Sequence, residues 1–175
     1  ARAGRGPYRV GFSDRYRLDA APEVTAAFDE FLGRLESLGH RIEEVELPSA
    51  DEAVAAHLRV SLSEAAAYYR RAFPDTMGRL PAEAAGGLDF AEGIRGYDLL
   101  WATETLNDNS RRIGRCFGAV DFLVLPTIPC LPPQRDAASV GWNGREMSVL
   151  HALIRNTAMF NHSGHPALVL PLGSR

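Results

Sequence analysis

The sequence predicts an α/β fold, because strand-like and helix-like segments alternate along it. Two segments, Tyr8–Phe12 and Arg41–Leu47, have the alternating apolar pattern of strands. Between them, apolar residues recur at helical spacing after Pro22, a residue favoured in the first turn of a helix. A strand, a helix and a second strand in about 40 residues form a βαβ unit, whose two strands are normally parallel.

The rest of the chain continues this alternation, and Pro and Gly residues separate its segments. The chain is expected to form a single α/β region over residues 1–175, whose first residues are a flexible entry. After the βαβ unit, the expected elements are a helix over 49–73, a connector over 74–96 with one short helix, a long helix over 97–117, a buried strand over 121–125, a loop over 127–144, a helix over 147–160 and a last strand over 166–171. The flexible entry is expected over residues 1–7.

The composition excludes several function classes. With 22 acidic against 19 basic residues, the net charge is -3, so neither nucleic acid nor a membrane surface is expected as a partner. All the basic residues are arginine, so this chain supplies no lysine for Schiff-base, phosphate-binding or general-base chemistry. Two cysteines cannot build a disulfide framework, and a reduced, cytoplasmic setting is expected.

No metal and no cofactor are expected. His151, His162 and His165 lie near one another in the sequence, but they lack the spacing and the carboxylate or cysteine support of a zinc site. The glycine-rich loops that bind nucleotide phosphates are absent as well.

Two residues could serve as nucleophiles. Ser163 is flanked by two histidines, but it precedes a strand and lacks the Gly-x-Ser-x-Gly pattern, so we expect its hydroxyl to bond nearby backbone. Cys130 could act with a distant histidine and aspartate, although buried structural cysteines are common. A cysteine hydrolase therefore stays open as an alternative, and no catalytic residue is assigned.

The segment Thr157–Pro166 predicts a helix that ends in a turn. Thr157 and Asn161 are four residues apart, so they share one helix face. We expect that face to point inward, since it continues Leu150, Leu153 and Ile154. Asn161 can then satisfy backbone groups of the turn, and Gly164 allows a conformation that other residues avoid. Four residues are expected to hold this turn: Thr157, Asn161, Gly164 and Pro166.

Two stretches, Asp121–Thr127 and Thr157–Gly173, resemble the amidase signature family in their order and spacing. The first is an Asp, a hydrophobic run and Pro-Thr after a long helix. The second is Thr-x-x-x-Asn-x-x-Gly-x-Pro-Ala, which enters a strand that ends in Pro-x-Gly. Pro7–Phe12 also resembles the strand that opens the later half of these enzymes. The resemblance implies part of a mixed β-sheet flanked by helices.

The resemblance also implies a reaction. These enzymes hydrolyse carboxamides through an acyl-enzyme on a serine, which a second serine on a cis peptide and a lysine activate. In the family those residues lie upstream of the matched region, together with a Gly/Ser-rich oxyanion stretch. The chain has neither lysine nor such a stretch, so we expect a fragment of a larger amidase domain whose catalytic residues lie outside it.

In relatives, the helix that enters the turn lines the acyl side of the substrate pocket. By motif position this implies His151, Ile154 and Ala158 as pocket wall, with Thr127 at the mouth of its strand. The amidotransferase A subunits, which use glutamine, carry an Asp where this chain has Ile154. An apolar side chain cannot pair with an ammonium, so the resemblance favours a neutral or apolar amide substrate.

The fragment hypothesis implies two binding partners for this chain, and one alternative function stays open beside it. A fragment is expected to expose apolar surface, and therefore to bind the missing half of the same enzyme or to self-associate. The alternative is a noncatalytic α/β module that binds a ligand or another protein and is active as it stands.

Overall fold

The structure is a computed structural model that describes residues 6–172. It confirms the α/β class, with helices packed around two small sheets. Residues 1–5 of the expected flexible entry, and Gly173 at the end of the second motif, lie outside the described residues. The elements are β1 (Arg9–Phe12), α1 (Asp14–Asp19), α2 (Pro22–Ser37), β2 (Arg41–Glu44), α3 (Ala50–Ala72), a 3-10 helix (Pro74–Arg79), α4 (Ala82–Glu92), α5 (Gly96–Cys116), β3 (Phe122–Leu123), β4 (Ser139–Trp142), β5 (Arg145–Ser148), α6 (Val149–Ile154) and α7 (Ala158–Ser163).

The first sheet is parallel and has the order β2-β1-β3. Its central strand pairs with β2 from Arg9 opposite Arg41 onward, which confirms the predicted βαβ unit. On the other side, Val10 lies opposite Phe122. A Cβ atom at Gly11 would lie 3.0 Å from a methyl group of Val120, so a small residue at this position lets β1 approach the chain that leads into β3.

The core lies between this sheet and two long helices, α3 and α5. Ala53 of α3 shares a buried cluster with Ile113 of α5, while Ala56 shares another with Leu106. The two helices are antiparallel, because the later residue of α3, Ala56, packs with the earlier residue of α5, Leu106. Alanines on α3 have short side chains, which allows this close approach.

The predicted loop over 127–144 is wrong at its end, where β4 and β5 form an antiparallel hairpin. Asn143 and Gly144 form its two-residue turn, both with positive φ of 50° and 73°. Asn-Gly is the sequence that such a turn favours. The strand β5 then runs to Ser148, whose hydroxyl accepts a hydrogen bond from the His151 amide at 3.3 Å and caps α6.

The predicted continuous helix over 147–160 is also wrong, because residues 155–157 form a turn between α6 and α7. The expected inward face is wrong as well: Leu150 and Leu153 are exposed, whereas Arg155 and Asn156 are buried. The side chains of these two polar residues bond to other parts of the chain, and this fixes which face of the segment turns inward.

The predicted strand over 166–171 forms no ladder with any described strand. Leu168, Val169 and Leu170 are exposed, Leu168 to 83%. The physical reason is that a strand exists only beside a partner, and β3, at this edge of the parallel sheet, pairs over just two residues. Within residues 6–172, no helix combines the length and the apolar character needed to cross a bilayer.

Candidate functional site

The residues expected to line a pocket lie on both sides of the α6–α7 turn. His151 and Ile154 are half-buried on α6, and Ala158 is buried at the start of α7. Thr127 is exposed after β3, but it is brought close to this turn. The side-chain amide of Asn156 donates a hydrogen bond of 2.9 Å to the carbonyl oxygen of Pro126, the residue before Thr127.

The four residues expected to hold the turn are placed differently from one another. Thr157 precedes α7, and its hydroxyl donates to the Ile154 carbonyl oxygen at 3.4 Å. Gly164 ends α7 with a φ of 72°, in the left-handed region that glycine favours. Asn161 is exposed, contrary to the expected inward orientation, and its side chain makes no hydrogen bond to the turn within the described part of the chain. Pro166 is exposed.

A buried guanidinium organises this site. The side chain of Arg155 is 5% exposed and donates two hydrogen bonds to Oδ2 of Asp19, at 3.0 Å and 2.6 Å, as well as one to Asp51. Asp19 ends α1 and Asp51 lies in the first turn of α3, so one side chain ties both helices to the α6–α7 turn. Arg145 of β5 adds a fourth group, with its Nη1 2.9 Å from Oδ1 of Asp19.

The electrostatics of this cluster are balanced by pairing. Burial opposes the charge on Arg155. The hydrogen bonds that Arg155 donates to Asp51 and Asp19 outweigh this effect, and the pKa of Arg155 is raised. The neighbouring Tyr16 hydroxyl is buried and donates to the Pro48 carbonyl oxygen at 2.9 Å. Burial raises the pKa of Tyr16 well above its usual value, so this hydroxyl stays protonated at neutral pH.

Two histidines meet on the other side of the turn. Nδ1 of His57, on α3, lies 2.8 Å from Nε2 of His162, on α7, so one ring donates to the other. Burial, and then the charge of His162, lower the pKa of His57. The pair therefore links α7 to α3 as long as at most one of the two rings is positively charged.

The nucleophile candidates have ordinary structural contacts. Cys130 is 3% exposed, and burial raises the pKa of its thiol, so little reactive thiolate is present at neutral pH. Ser163 donates to the Phe160 carbonyl oxygen at 3.3 Å, within its own helix. Among residues 6–172, no three histidine, cysteine or acidic side chains are grouped so that they could hold a metal ion.

Sequence reasoning missed the cluster of Arg155, Asp19, Asp51 and Asn156. One local signal was available, since a charged residue and an amide interrupt the apolar pattern between Ile154 and Ala158. Nothing local marks the acidic partners, because Asp19 lies 136 positions from Arg155.

Residues 2–175 match the family model described as Amidase, and the chain belongs to that family. The chain spans a little more than a third of the length of the curated relatives that it matches.

Two of these relatives are bacterial enzymes. The chain is 31% identical over 168 residues to a 2-amino-5-chloromuconic acid deaminase of Comamonas testosteroni, covering 94% of this chain and 36% of that protein. It is 29% identical over 168 residues to an amidase of Pseudomonas putida, with the same coverage of 94% and 36%. A solved amidase structure superposes with a TM-score of 0.82 at 21% identity, over 92% of this chain and 37% of that one.

Replacement of Arg155 by Met is expected to lower the free energy of unfolding by about 3 kcal/mol, because Asp19 and Asp51 lose their buried partner. The measurement is urea unfolding followed by circular dichroism. The control is Arg111→Met: Arg111 is 65% exposed and pairs with Asp108, so a change below about 1 kcal/mol is expected. Equal losses in the two variants would contradict a special role for Arg155.

His57 makes stability depend on pH. Its pKa in the folded protein is lowered from the ordinary 6.5, so the unfolded chain binds a proton more readily than the native one. The contribution of His57 to stability is therefore present above about pH 6.5 and is lost as the pH falls through the lower, native pKa. Unfolding midpoints in urea at pH 7.5 and 5.5 are expected to differ more for the wild type than for His57→Gln, and identical differences would refute this origin.

Proposed function

We propose that this chain is the later portion of an amide-hydrolysing enzyme and that residues 1–175 form part of a larger amidase domain. The family match over residues 2–175 carries this proposal. It is supported by the coverage, since the chain corresponds to 36% of each of the two bacterial relatives.

The proposed reaction converts a carboxamide and water to a carboxylic acid and ammonia. A serine attacks the amide carbonyl carbon, ammonia leaves, and water hydrolyses the resulting acyl-enzyme. Backbone N–H groups stabilise the negative charge that develops on the carbonyl oxygen. The serine, the second serine and the lysine are proposed to lie outside this chain, which contains no lysine.

This chain is proposed to supply one wall of the substrate pocket, formed by Thr127, His151, Ile154 and Ala158. The contacts around the turn support that role. Arg155 and Asn156 are buried between these residues and bond to α1, α3 and the Pro126 carbonyl oxygen. The helix that carries His151 and Ile154 is thereby held in one position, which a pocket wall requires.

The proposed substrate class is a neutral or apolar amide. Ile154 is half-buried and presents only apolar atoms, so it cannot pair with the ammonium group of glutamine. The other half of the enzyme is the proposed partner of this chain, and the same surface would support self-association in its absence.

The function is tested by an ammonia-release assay on two proteins: the 175-residue chain alone, and the protein translated from the uninterrupted reading frame that contains it. The longer protein is expected to release ammonia from a neutral amide such as benzamide, and the chain alone to release none. Turnover by the chain alone that iodoacetamide abolishes would support a cysteine hydrolase using Cys130 instead. No turnover by either protein on a panel of amides would favour a noncatalytic module.

In the longer protein, Ile154→Asp is expected to lower kcat/KM for apolar amides about tenfold or more, because a carboxylate in an apolar pocket must be desolvated when the substrate binds. Leu150→Asp is the matched control, since Leu150 lies on the same helix with its side chain 60% exposed. Unchanged activity of Ile154→Asp would remove Ile154 from the pocket wall.

The segment 166–172 is proposed as the place where the other half packs, because it exposes Leu168, Val169, Leu170 and Leu172. The isolated chain is expected to self-associate through this segment, and Leu168→Asp is expected to shift it toward monomer in sedimentation velocity. Leu38→Asp is the control: Leu38 is 73% exposed but lies at the end of α2. A wild-type chain that sediments as a monomer at every concentration would contradict this proposal.

A further inference from the structure

A cavity of about 430 Å³ lies between α1, the start of α3, β5 and the α6–α7 turn. None of the four proposed pocket-wall residues lines it, although Nε2 of His151 lies 3.9 Å from Oδ1 of Asp51, a lining residue. Its charged lining comes from Arg15, Asp19, Asp51, Arg145 and Arg155, and Tyr16 and Ser49 add hydroxyl groups. Its volume lies in the range of small-molecule sites, in which convergent polar groups fix the orientation of the ligand.

The three arginines and two carboxylates of the lining leave one positive charge in excess. The charge of Asp19 is balanced on both oxygens, because Oδ2 accepts from Arg155 and Oδ1 pairs with Arg145. Asp51 accepts from Arg155. The Tyr16 hydroxyl donates to the Pro48 carbonyl oxygen, so it is not available to a ligand.

Two guanidinium groups at the rim keep donors free. Arg15 is exposed and has no ion pair within residues 6–172. Arg145 pairs with Asp19 through one nitrogen and is 50% exposed, so it has further N–H groups that Asp19 does not occupy. A guanidinium presents its donors in a planar fork that matches the two oxygens of a carboxylate.

We propose that this cavity binds a small organic carboxylate, held by Arg15 and Arg145. Arg155 orders the site by fixing Asp19, which in turn holds Arg145. The exposed carboxylate of Asp51 disfavours a ligand of high negative charge, so the arrangement selects a compact organic acid rather than a polyphosphate. The proposal does not depend on the amide chemistry, and the 175-residue chain itself can be tested for it.

The test is isothermal titration calorimetry of the chain with succinate, with succinamide as the neutral probe of equal size. Succinate is expected to bind and succinamide not to bind. Arg15→Gln and Arg145→Gln are each expected to weaken succinate binding about tenfold, because each removes a charge-assisted hydrogen bond. Arg34→Gln is the matched control, since Arg34 is 74% exposed on α2 and its loss removes the same charge.

Three results would overturn the proposal: no heat with succinate, equal weakening by Arg34→Gln and Arg15→Gln, or binding of the dication putrescine in place of succinate. Arg15→Gln keeps the test decisive even if Arg145→Gln does not fold, because Arg15 has no ion pair to lose within the described part of the chain.

Discussion

The fold of this chain depends on the buried positive charge of Arg155, which requires negatively charged partners. A guanidinium taken out of water costs several kcal/mol unless anions replace its hydration. Arg155 meets this requirement with Asp19 and Asp51, which end α1 and begin α3. The α6–α7 turn can therefore form only where these two helices converge. Leu150 and Leu153 beside it are exposed and contribute little apolar packing to the turn.

The same constraint connects the fold to the proposed activity. In an amidase, a pocket wall must hold its shape while the acyl group is attached to a nucleophile from elsewhere in the protein. Here the proposed wall is built on a short helix, α6, that is anchored at both ends by hydrogen bonds and along its length by the buried Ala152. The larger domain is proposed to continue where apolar side chains are exposed, on the segment over 166–172, and beside the two-residue strand β3 at the edge of the sheet.

Elements with a local cause could be predicted from the sequence. Helices α2, α3 and α5 have helical periodicity, and β1 and β2 flank the first of them as a βαβ unit. The β4–β5 hairpin has a local signal in Asn143–Gly144, although the Pro and Gly residues over 127–144 favour a loop. The break after Ile154 has a distant cause, because the partner of Arg155 lies 136 residues away. The periodicity of a sequence does not encode contacts between distant residues. The sequence therefore could not predict which carboxylates pair with Arg155, nor that the predicted strand over 166–171 has no strand beside it among the described residues.

A double-mutant cycle between Asp19 and Arg155 tests the central claim most directly. The free energies of unfolding would be measured for the wild type, Asp19→Asn, Arg155→Met and the double variant. If this ion pair holds the turn, the single losses are strongly non-additive, with a coupling energy of about 2 kcal/mol or more. Additive losses, with a coupling below about 0.5 kcal/mol, would show that the two groups act independently and would contradict the account.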